Sequence, residues 1–184
     1  MSGNEPQFIL RLMTTADAQA IAAWRYAGVY AFYDFSADPA DLAELLTPES
    51  WGRSYFSVEA MNQDLVGFFQ FEQQGDVIDI GLGLRPDLTG KGHGLPFVVA
   101  GLAFAQRRFT PRQFRLAVAV FNHRARRVYE RAGFQTMRTY WQATNGGQHE
   151  FVEMVRNATQ IEYHHAPTTS PHRDYCHHRC YHRK

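Results

Sequence analysis

Residues 82–96 read LGLRPDLTGKGHGLP, and this stretch decides the fold because an apolar strand pattern runs into a glycine-rich turn and then a helix pattern. Glycines at positions 90, 92 and 94 let the backbone turn tightly and approach a ligand without a Cβ in the way. The helix that follows offers unpaired N–H groups and the positive end of its dipole, which favour an anion. Pro96 suits the first turn of a helix that begins at about Gly92. The stretch predicts a phosphate-binding turn, with a glycine-rich turn that binds nothing as the alternative, and its spacing matches neither the P-loop nor the Rossmann pattern.

A second stretch lies about thirty residues further on, where residues 120–134 read VFNHRARRVYERAGF. Apolar side chains recur at helical spacing from Ala125 to Ala132, and Gly133 stands where a glycine ends a helix. The pattern alone makes Asn122 the N-cap of this helix and Tyr129 a core aromatic.

The remaining patterns predict a mixed α+β domain. Strand patterns cover residues 8–13, 54–60, 65–72, 77–84, 114–120, 135–143 and 150–155. Helix patterns follow Thr14, begin at Pro39, and cover residues 92–109 and 124–132. Short turns join the strands between residues 54 and 84 into an antiparallel meander, and Asn145-Gly146 is typical of a hairpin. We expect a mostly antiparallel central sheet of six or seven strands that is flanked by helices.

Length and charge fit a single ordinary domain. The chain has 184 residues, of which 45% are hydrophobic, and its 19 basic and 18 acidic residues leave a formal charge of +1. This near balance argues against a protein that wraps a polyanion. We find neither a signal-peptide pattern nor an apolar run of about 18 residues, so we expect a cytoplasmic protein without a membrane anchor.

The C-terminal segment differs from the rest of the chain. We place a domain at residues 1–156 and expect an unstructured segment at residues 157–184, which holds six of the nine histidines and both cysteines, Cys176 and Cys180. These ligand types suit zinc, but their spacing is not the two-pair arrangement of zinc fingers, so we assign no metal site. The absence of cysteine from residues 1–156 indicates a reducing compartment.

Together the two motifs resemble the GNAT superfamily of acyl-coenzyme A N-acyltransferases. Residues 82–94 are similar to the family's strand and pyrophosphate-binding loop, and residues 122–134 to its Asn-x-x-Ala-x-x-x-Tyr-x-x-x-Gly-Phe segment. The order of elements over residues 8–156 is similar as well. One departure is Thr89, which stands where the family usually has Gln or Arg, and this weakens a side-chain contact to the coenzyme.

The resemblance implies acetyl-coenzyme A as co-substrate and direct transfer to an amine, without a covalent enzyme intermediate. The implied coenzyme-binding residues are Leu82, Leu84, Thr89, Gly90, Lys91, Gly92, His93, Gly94 and Asn122. The backbone of the two leucines would pair with the pantetheine arm like an added strand, and the Leu84 N–H would polarise the thioester carbonyl. Tyr129 would donate a proton to the departing thiolate.

The acceptor side is less defined. The resemblance puts the aromatic segment with Tyr30, Tyr33 and Asp34 beside the acceptor. Asp79 and Asp34 are the candidate bases, although a surface or strand-edge carboxylate is the simpler interpretation of each. We favour a protein or peptide α-amine, as in the ribosomal-protein alanine acetyltransferases of the family, over a small amine.

Two other functions are compatible with parts of this sequence. A module that binds coenzyme A without catalysis is the alternative, and Tyr129 favours the enzyme over it. Ten basic residues stand against Glu130 between positions 91 and 138, which suits the ribose phosphate of coenzyme A or a solvated helix face. Nucleic acid is the least favoured partner because acidic residues balance this charge earlier in the chain. The sequence leaves the oligomeric state open.

Overall fold

The computed structural model describes residues 8–158, which form a seven-stranded sheet with helices on both faces. The strands are β1 (Ile9–Leu12), β2 (Tyr55–Glu59), β3 (Leu65–Gln74), β4 (Val77–Leu84), β5 (Gln113–Ala119), β6 (Gln135–Thr144) and β7 (Gly147–Asn157). The α-helices are α1 (Thr15–Ala22), α2 (Pro39–Leu45), α3 (Gly94–Phe109) and α4 (His123–Arg131). Short 3-10 turns at Gly28–Tyr33 and Phe35–Ala37 make up most of the aromatic segment between α1 and α2.

Among the described strands the order is β1-β2-β3-β4-β5-β7-β6, and the one parallel pair is β4 with β5. All other neighbours are antiparallel, so the predicted fold class is confirmed. The crossover from β4 to β5 passes through α3, as a parallel pair requires. This places the glycine-rich turn at the C-terminal end of β4, which is one strand of the parallel pair.

Two buried clusters hold the helices against opposite faces of the sheet. Phe69 belongs to a cluster with residues of α3 and α4, whereas its neighbour Phe68 belongs to a cluster with residues of α1 and α2. Successive side chains of a strand point to opposite faces, so the two clusters lie on the two sides of β3. The segment that joins α1 to α2 thus starts and ends on the face opposite α3.

The start of α3 is a correction to the sequence prediction. We expected the helix to begin at about Gly92, and it begins at Gly94. Gly90 and Gly92 have φ values of 76° and 86°, in the left-handed region that a right-handed helix excludes. Both glycines therefore remain in the turn, and Pro96 still falls in the first helical turn, where its missing N–H costs nothing.

Candidate active site

Strands β4 and β5 separate from each other part of the way along their length. Their pairing runs from Val77 opposite Gln113 to Asp79 opposite Arg115, and ends there, while β4 stays paired with β3 as far as Leu84. In an antiparallel ladder, the backbone groups of alternate residues point to the same neighbour. Since the Arg85 N–H donates to Val66, the N–H and C=O groups of Leu82 and Leu84 point away from β3 and into the split.

The opposite wall of the split is built in the same way from β5. The Val120 N–H donates to the Glu150 carbonyl, which fixes the alternation of β5 with its antiparallel neighbour β7. By the same alternation, the backbone groups of Ala117 and Ala119 face β4 across the split. The two strands thus expose to one slot backbone groups that do not pair with each other.

The split opens into a cavity of about 390 Å³. Ten of the residues predicted from the sequence line it: Tyr30, Tyr33, Leu82, Leu84, Thr89, Gly90, Gly92, Gly94, Asn122 and Tyr129. They come from three separate parts of the chain, the aromatic segment and the two motifs, which the fold brings to one end of the parallel strand pair.

Four other predicted residues do not line this cavity: Asp34, Asp79, Lys91 and His93. Asp79 lies in the paired part of β4, where the guanidinium of Arg115 donates to both of its carboxylate oxygens, one of them at 2.7 Å. Asp34 accepts a hydrogen bond from the Tyr26 N–H at 2.8 Å and so holds its own segment together. The structure therefore brings neither candidate base to the cavity wall.

The glycine-rich turn forms one end of the cavity. The Thr89 hydroxyl donates to the Pro86 carbonyl at 2.7 Å, so this side chain stabilises the turn itself. A Cβ on Gly94 would lie 3.1 Å from Val128, which shows how closely the start of α3 packs on α4. Arg124 stands beside the turn, with a guanidinium nitrogen 4.0 Å from the position of a Cβ on Gly90.

Asn122 and Tyr129 come from the second motif. The Asn122 side-chain oxygen accepts from the Ala125 N–H at 3.1 Å, which makes Asn122 the N-cap of α4 as the pattern predicted. Tyr129 is buried, and its ring packs edge-on against Phe134. Burial raises the pKa of Tyr129, and the neighbouring Tyr33 and Tyr26 raise it further.

The aromatic segment closes the cavity through two tyrosines. The Tyr26 hydroxyl donates to the Leu84 carbonyl at 2.9 Å, and the Tyr33 hydroxyl accepts from the Ala119 N–H at 3.2 Å. Tyr30 lies under the guanidinium of Arg124, which is 4.0 Å from the ring centre. Sequence reasoning missed Tyr26, Arg124 and Arg131 as cavity residues, because no periodicity marks which aromatic or basic side chain of an irregular or exposed run turns inward.

The turn between β6 and β7 fixes this segment from outside. Asp38 accepts from the Asn145 N–H at 3.1 Å, and the Asn145 side-chain amide donates to the Phe32 carbonyl at 2.8 Å. Asn145 has a φ of 51°, which asparagine tolerates in a hairpin turn. The hairpin and the aromatic segment are thereby joined next to Tyr33.

Neither a metal centre nor a membrane span is found in the described part of the chain. Among residues 8–158, no three His, Cys, Asp or Glu side chains are grouped so as to hold a metal ion. None of the helices in the same range has both the length and the apolarity needed to cross a bilayer. Cys176, Cys180 and the histidines near them lie outside the described residues.

Comparisons with known proteins agree with the resemblance seen in the sequence. A profile described as "Acetyltransferase (GNAT) domain" matches residues 7–135. None of the curated proteins matches the sequence.

Solved structures with this fold include several N-acetyltransferases. A chimera of the spermidine N-acetyltransferase SpeG from Vibrio cholerae and hSSAT has a TM-score of 0.69 at 20% identity, over 83% of this chain and 96% of that one. The Vibrio cholerae spermidine N-acetyltransferase in complex with CoA and spermine has a TM-score of 0.67 at 19% identity, with the same coverage of 83% and 96%. A GNAT-family acetyltransferase from Bacillus anthracis has a TM-score of 0.65 at 14% identity, again over 83% and 96%.

Proposed function

Because this chain belongs to the GNAT acetyltransferase family, and is therefore an acyl-coenzyme A-dependent N-acetyltransferase, we propose that it moves an acetyl group from acetyl-coenzyme A directly to a primary amine. One observation carries the proposal. The split between β4 and β5 exposes backbone groups that do not pair with each other, ends at a glycine-rich helix start, and has a buried tyrosine hydroxyl in its wall.

The cavity residues fit the parts of the coenzyme in order. Amide groups of an extended pantetheine chain would pair with the Leu82 backbone, as an added strand pairs with a sheet edge. The turn from Gly90 to Gly94 would hold the pyrophosphate, because its two positive-φ glycines have no Cβ and α3 presents its N-terminus there. Asn122 would contact the pantetheine arm from the opposite side. Arg124, beside Gly90, adds a positive charge that suits the same phosphates.

Leu84 and Tyr129 would act at the reacting atoms. The bound coenzyme supplies an acyl group that is already activated as a thioester. The Leu84 N–H faces the split and would donate to the thioester oxygen as that oxygen gains negative charge. Tyr129 would give its proton to the departing sulfur, and its raised pKa keeps that proton in place at neutral pH.

The amine must lose its own proton by another route. Asp79 is paired with Arg115 and Asp34 with a backbone N–H, and no Asp, Glu or His among residues 8–158 lines the cavity. We therefore propose that the amine arrives uncharged. Its nitrogen becomes positively charged when it attacks the thioester carbon, and it then loses one proton to water. An α-amine, with a pKa of about 7.7–8.0, is far more often uncharged at neutral pH than an alkylamine with a pKa of about 10.4.

This supports a protein or peptide α-amine as the acceptor, with a small amine as the second candidate. Tyrosines, apolar side chains and the two arginines Arg124 and Arg131 line the cavity, and they suit an acceptor without further positive charge. The small amine draws support from the fold neighbours, which include a spermidine N-acetyltransferase. Spermidine carries several ammonium groups, and the described cavity wall offers them no carboxylate.

Calorimetric titration with acetyl-coenzyme A tests the first half of the proposal, and a thiol-release assay tests the second. We expect binding, and release of coenzyme A with a peptide that has a free N-terminal alanine. The same peptide with a blocked N-terminus is the control, and spermidine is the competing acceptor. No binding at millimolar coenzyme by folded protein would contradict the proposal, whereas binding without turnover on any amine would favour a non-catalytic coenzyme A-binding module.

A further inference from the structure

Two tyrosines from one segment hold the ends of the two separated strands, but with opposite hydrogen-bond direction. Tyr26 donates its hydroxyl proton to the Leu84 carbonyl on β4. Tyr33 instead accepts a proton from the Ala119 N–H on β5. A phenol has one proton to donate and two lone pairs to accept with, so the two side chains are left with different capacities.

Tyr33 retains its proton for a ligand. Its oxygen accepts from the Ala119 N–H, and the neighbouring Asn122 side chain, whose oxygen accepts from the Ala125 N–H, opposes the rise of the Tyr33 pKa as a donor would. No acceptor for the Tyr33 O–H is found among residues 8–158. Tyr26 has used its proton on Leu84, and the ring of Tyr30 is covered by Arg124. Of the three tyrosines that the segment contributes to the cavity, Tyr33 is thus the one whose hydroxyl is oriented by the backbone with its proton uncommitted.

The position of Tyr33 puts it on the Tyr129 side of the cavity. It is bonded to β5, and the side chain of Asn122, the residue that caps α4, lies next to its hydroxyl. Leu84 belongs to β4, across the split, and its N–H is the group assigned to the thioester oxygen. The thioester oxygen would thus lie toward Leu84 and the sulfur toward Tyr129. The sulfur is therefore the reacting atom nearer to Tyr33.

Given the proposed function, we propose that Tyr33 is a second catalytic hydroxyl, which donates a hydrogen bond to the sulfur as the carbon–sulfur bond breaks. The amine nitrogen forms the new carbon–nitrogen bond, and the electron pair of the broken bond stays on sulfur. Tyr129 transfers its proton to that sulfur and regains one from water, which receives the proton that the amine loses. Tyr33 keeps its own proton throughout and stabilises the negative charge before the transfer is complete.

The environment of Tyr33 suits a donor that is never ionised. Burial raises its pKa, against the opposing influence of Asn122 and the Ala119 N–H. The hydroxyl therefore remains protonated over the pH range in which an enzyme of this class works. A donor to an anion in a site shielded from water is also stronger than the same bond in solvent.

The test uses coenzyme A itself, the product that ends in the free thiol. The pKa of the bound thiol is measured from the ultraviolet absorbance of the thiolate, in the full-length protein and in the variants Tyr33→Phe and Tyr140→Phe. Tyr140 lies on the outer strand β6 and serves as a matched loss of a hydroxyl away from the cavity. Loss of a hydrogen bond to a charged group corresponds to about one pKa unit or more, so Tyr33→Phe should raise the bound thiol pKa by about that much.

Turnover supplies the second readout. Tyr33→Phe should lower kcat about tenfold or more, while Tyr140→Phe leaves both kcat and the thiol pKa unchanged. If Tyr33→Phe weakens coenzyme A binding but leaves the thiol pKa of the complex as it was, Tyr33 only braces β5 and the inference is overturned. If the unaltered protein binds no coenzyme A at all, the proposed function fails instead. Calorimetric titration of the unaltered protein therefore tells the two failures apart.

Discussion

At the scale of single residues, burial decides what Tyr129 can do. The ring lies in the main core cluster beside Phe134, yet the side chain also forms part of the cavity wall. A phenol in this environment has a raised pKa and holds its proton well above neutral pH. Its place in the core is therefore compatible with the proposed role as an acid, because the ring would pack while the hydroxyl reacts.

Replacing Tyr129 by Phe separates these two contributions. We expect kcat to fall about 100-fold or more, which is the usual scale of general acid catalysis. The free energy of unfolding should change little, because the ring and its packing remain. Steady-state kinetics and urea denaturation measure the two effects, with Tyr140→Phe as the control. Unchanged turnover would return Tyr129 to the role of a core aromatic.

Gly92 would contribute to phosphate binding through its backbone. Its φ of 86° is strained for any other residue, and an added Cβ would meet no protein atom within 4 Å, so it would project into open space at the cavity. Gly92→Val should therefore raise the KM for acetyl-coenzyme A about tenfold, the cost of weakened bonds to a charged phosphate.

The control for Gly92 is Gly75→Val, in the turn between β3 and β4. Gly75 has a φ of 62° and equally open surroundings, but it is not part of the cavity wall. Both variants should lose a similar amount of stability, about 1–2 kcal/mol. Only Gly92→Val should change the KM for acetyl-coenzyme A. An equal KM in the two variants would count against phosphate binding at Gly92.

Residue identity explains how far the site was predictable. Gly90, Gly92, Asn122 and Tyr129 stand in local motifs whose spacing is set by one turn and one helix, so sequence alone locates them. Asp79 carries the right chemistry for a base, but its partner Arg115 comes from another strand, and no local pattern reveals that pairing. Long-range ion pairs of this kind are decided by the sheet register rather than by spacing along the chain.

At the scale of elements, the aromatic segment is the feature that links the two sides of the site. It bonds to β4 through Tyr26 and to β5 through Tyr33, and the β6–β7 turn holds it through Asn145. A sequence without regular periodicity gives no signal for such contacts, since each depends on where the neighbouring element passes. The helices and strands were predictable because each carries its own periodicity and end signals, as in the Thr14–Asp17 capping box of α1.

The contact between the β6–β7 hairpin and the aromatic segment should affect binding of the acceptor amine. Asn145→Gly keeps a residue that accepts positive φ, but removes the amide that donates to the Phe32 carbonyl. We expect the acceptor KM to rise about fivefold, equivalent to the ~1 kcal/mol of one hydrogen bond, with the coenzyme KM unchanged. Asn62→Gly, in the turn between β2 and β3, is the control. A change in the coenzyme KM alone would contradict the proposal that the aromatic segment lies beside the acceptor.

At the scale of the whole molecule, the site depends on the one parallel pair in an otherwise antiparallel sheet. Antiparallel neighbours hold β4 and β5 firmly on their outer sides, so the two strands can separate from each other without loss of the sheet. The sequence predicts the strands and the crossover through α3, and hence the fold class. The patterns along the chain do not predict that pairing stops at Asp79, because its partner Arg115 is far away in the sequence and the extent of their pairing carries no local signal.

The same organisation predicts which part of the chain folding requires. Strand β7 lies between β5 and β6 and runs to Asn157, and the Ala158 N–H donates to the Arg112 carbonyl at 2.8 Å. A protein that ends after Ala158 keeps every one of these bonds, so we expect its thermal unfolding and acetyl transfer to match those of the full chain. A protein that ends after Val152 loses half of β7 and should not fold. Loss of coenzyme binding in the longer truncation, or zinc retained by the full chain and not by that truncation, would show that the segment with Cys176 and Cys180 belongs to the functional unit.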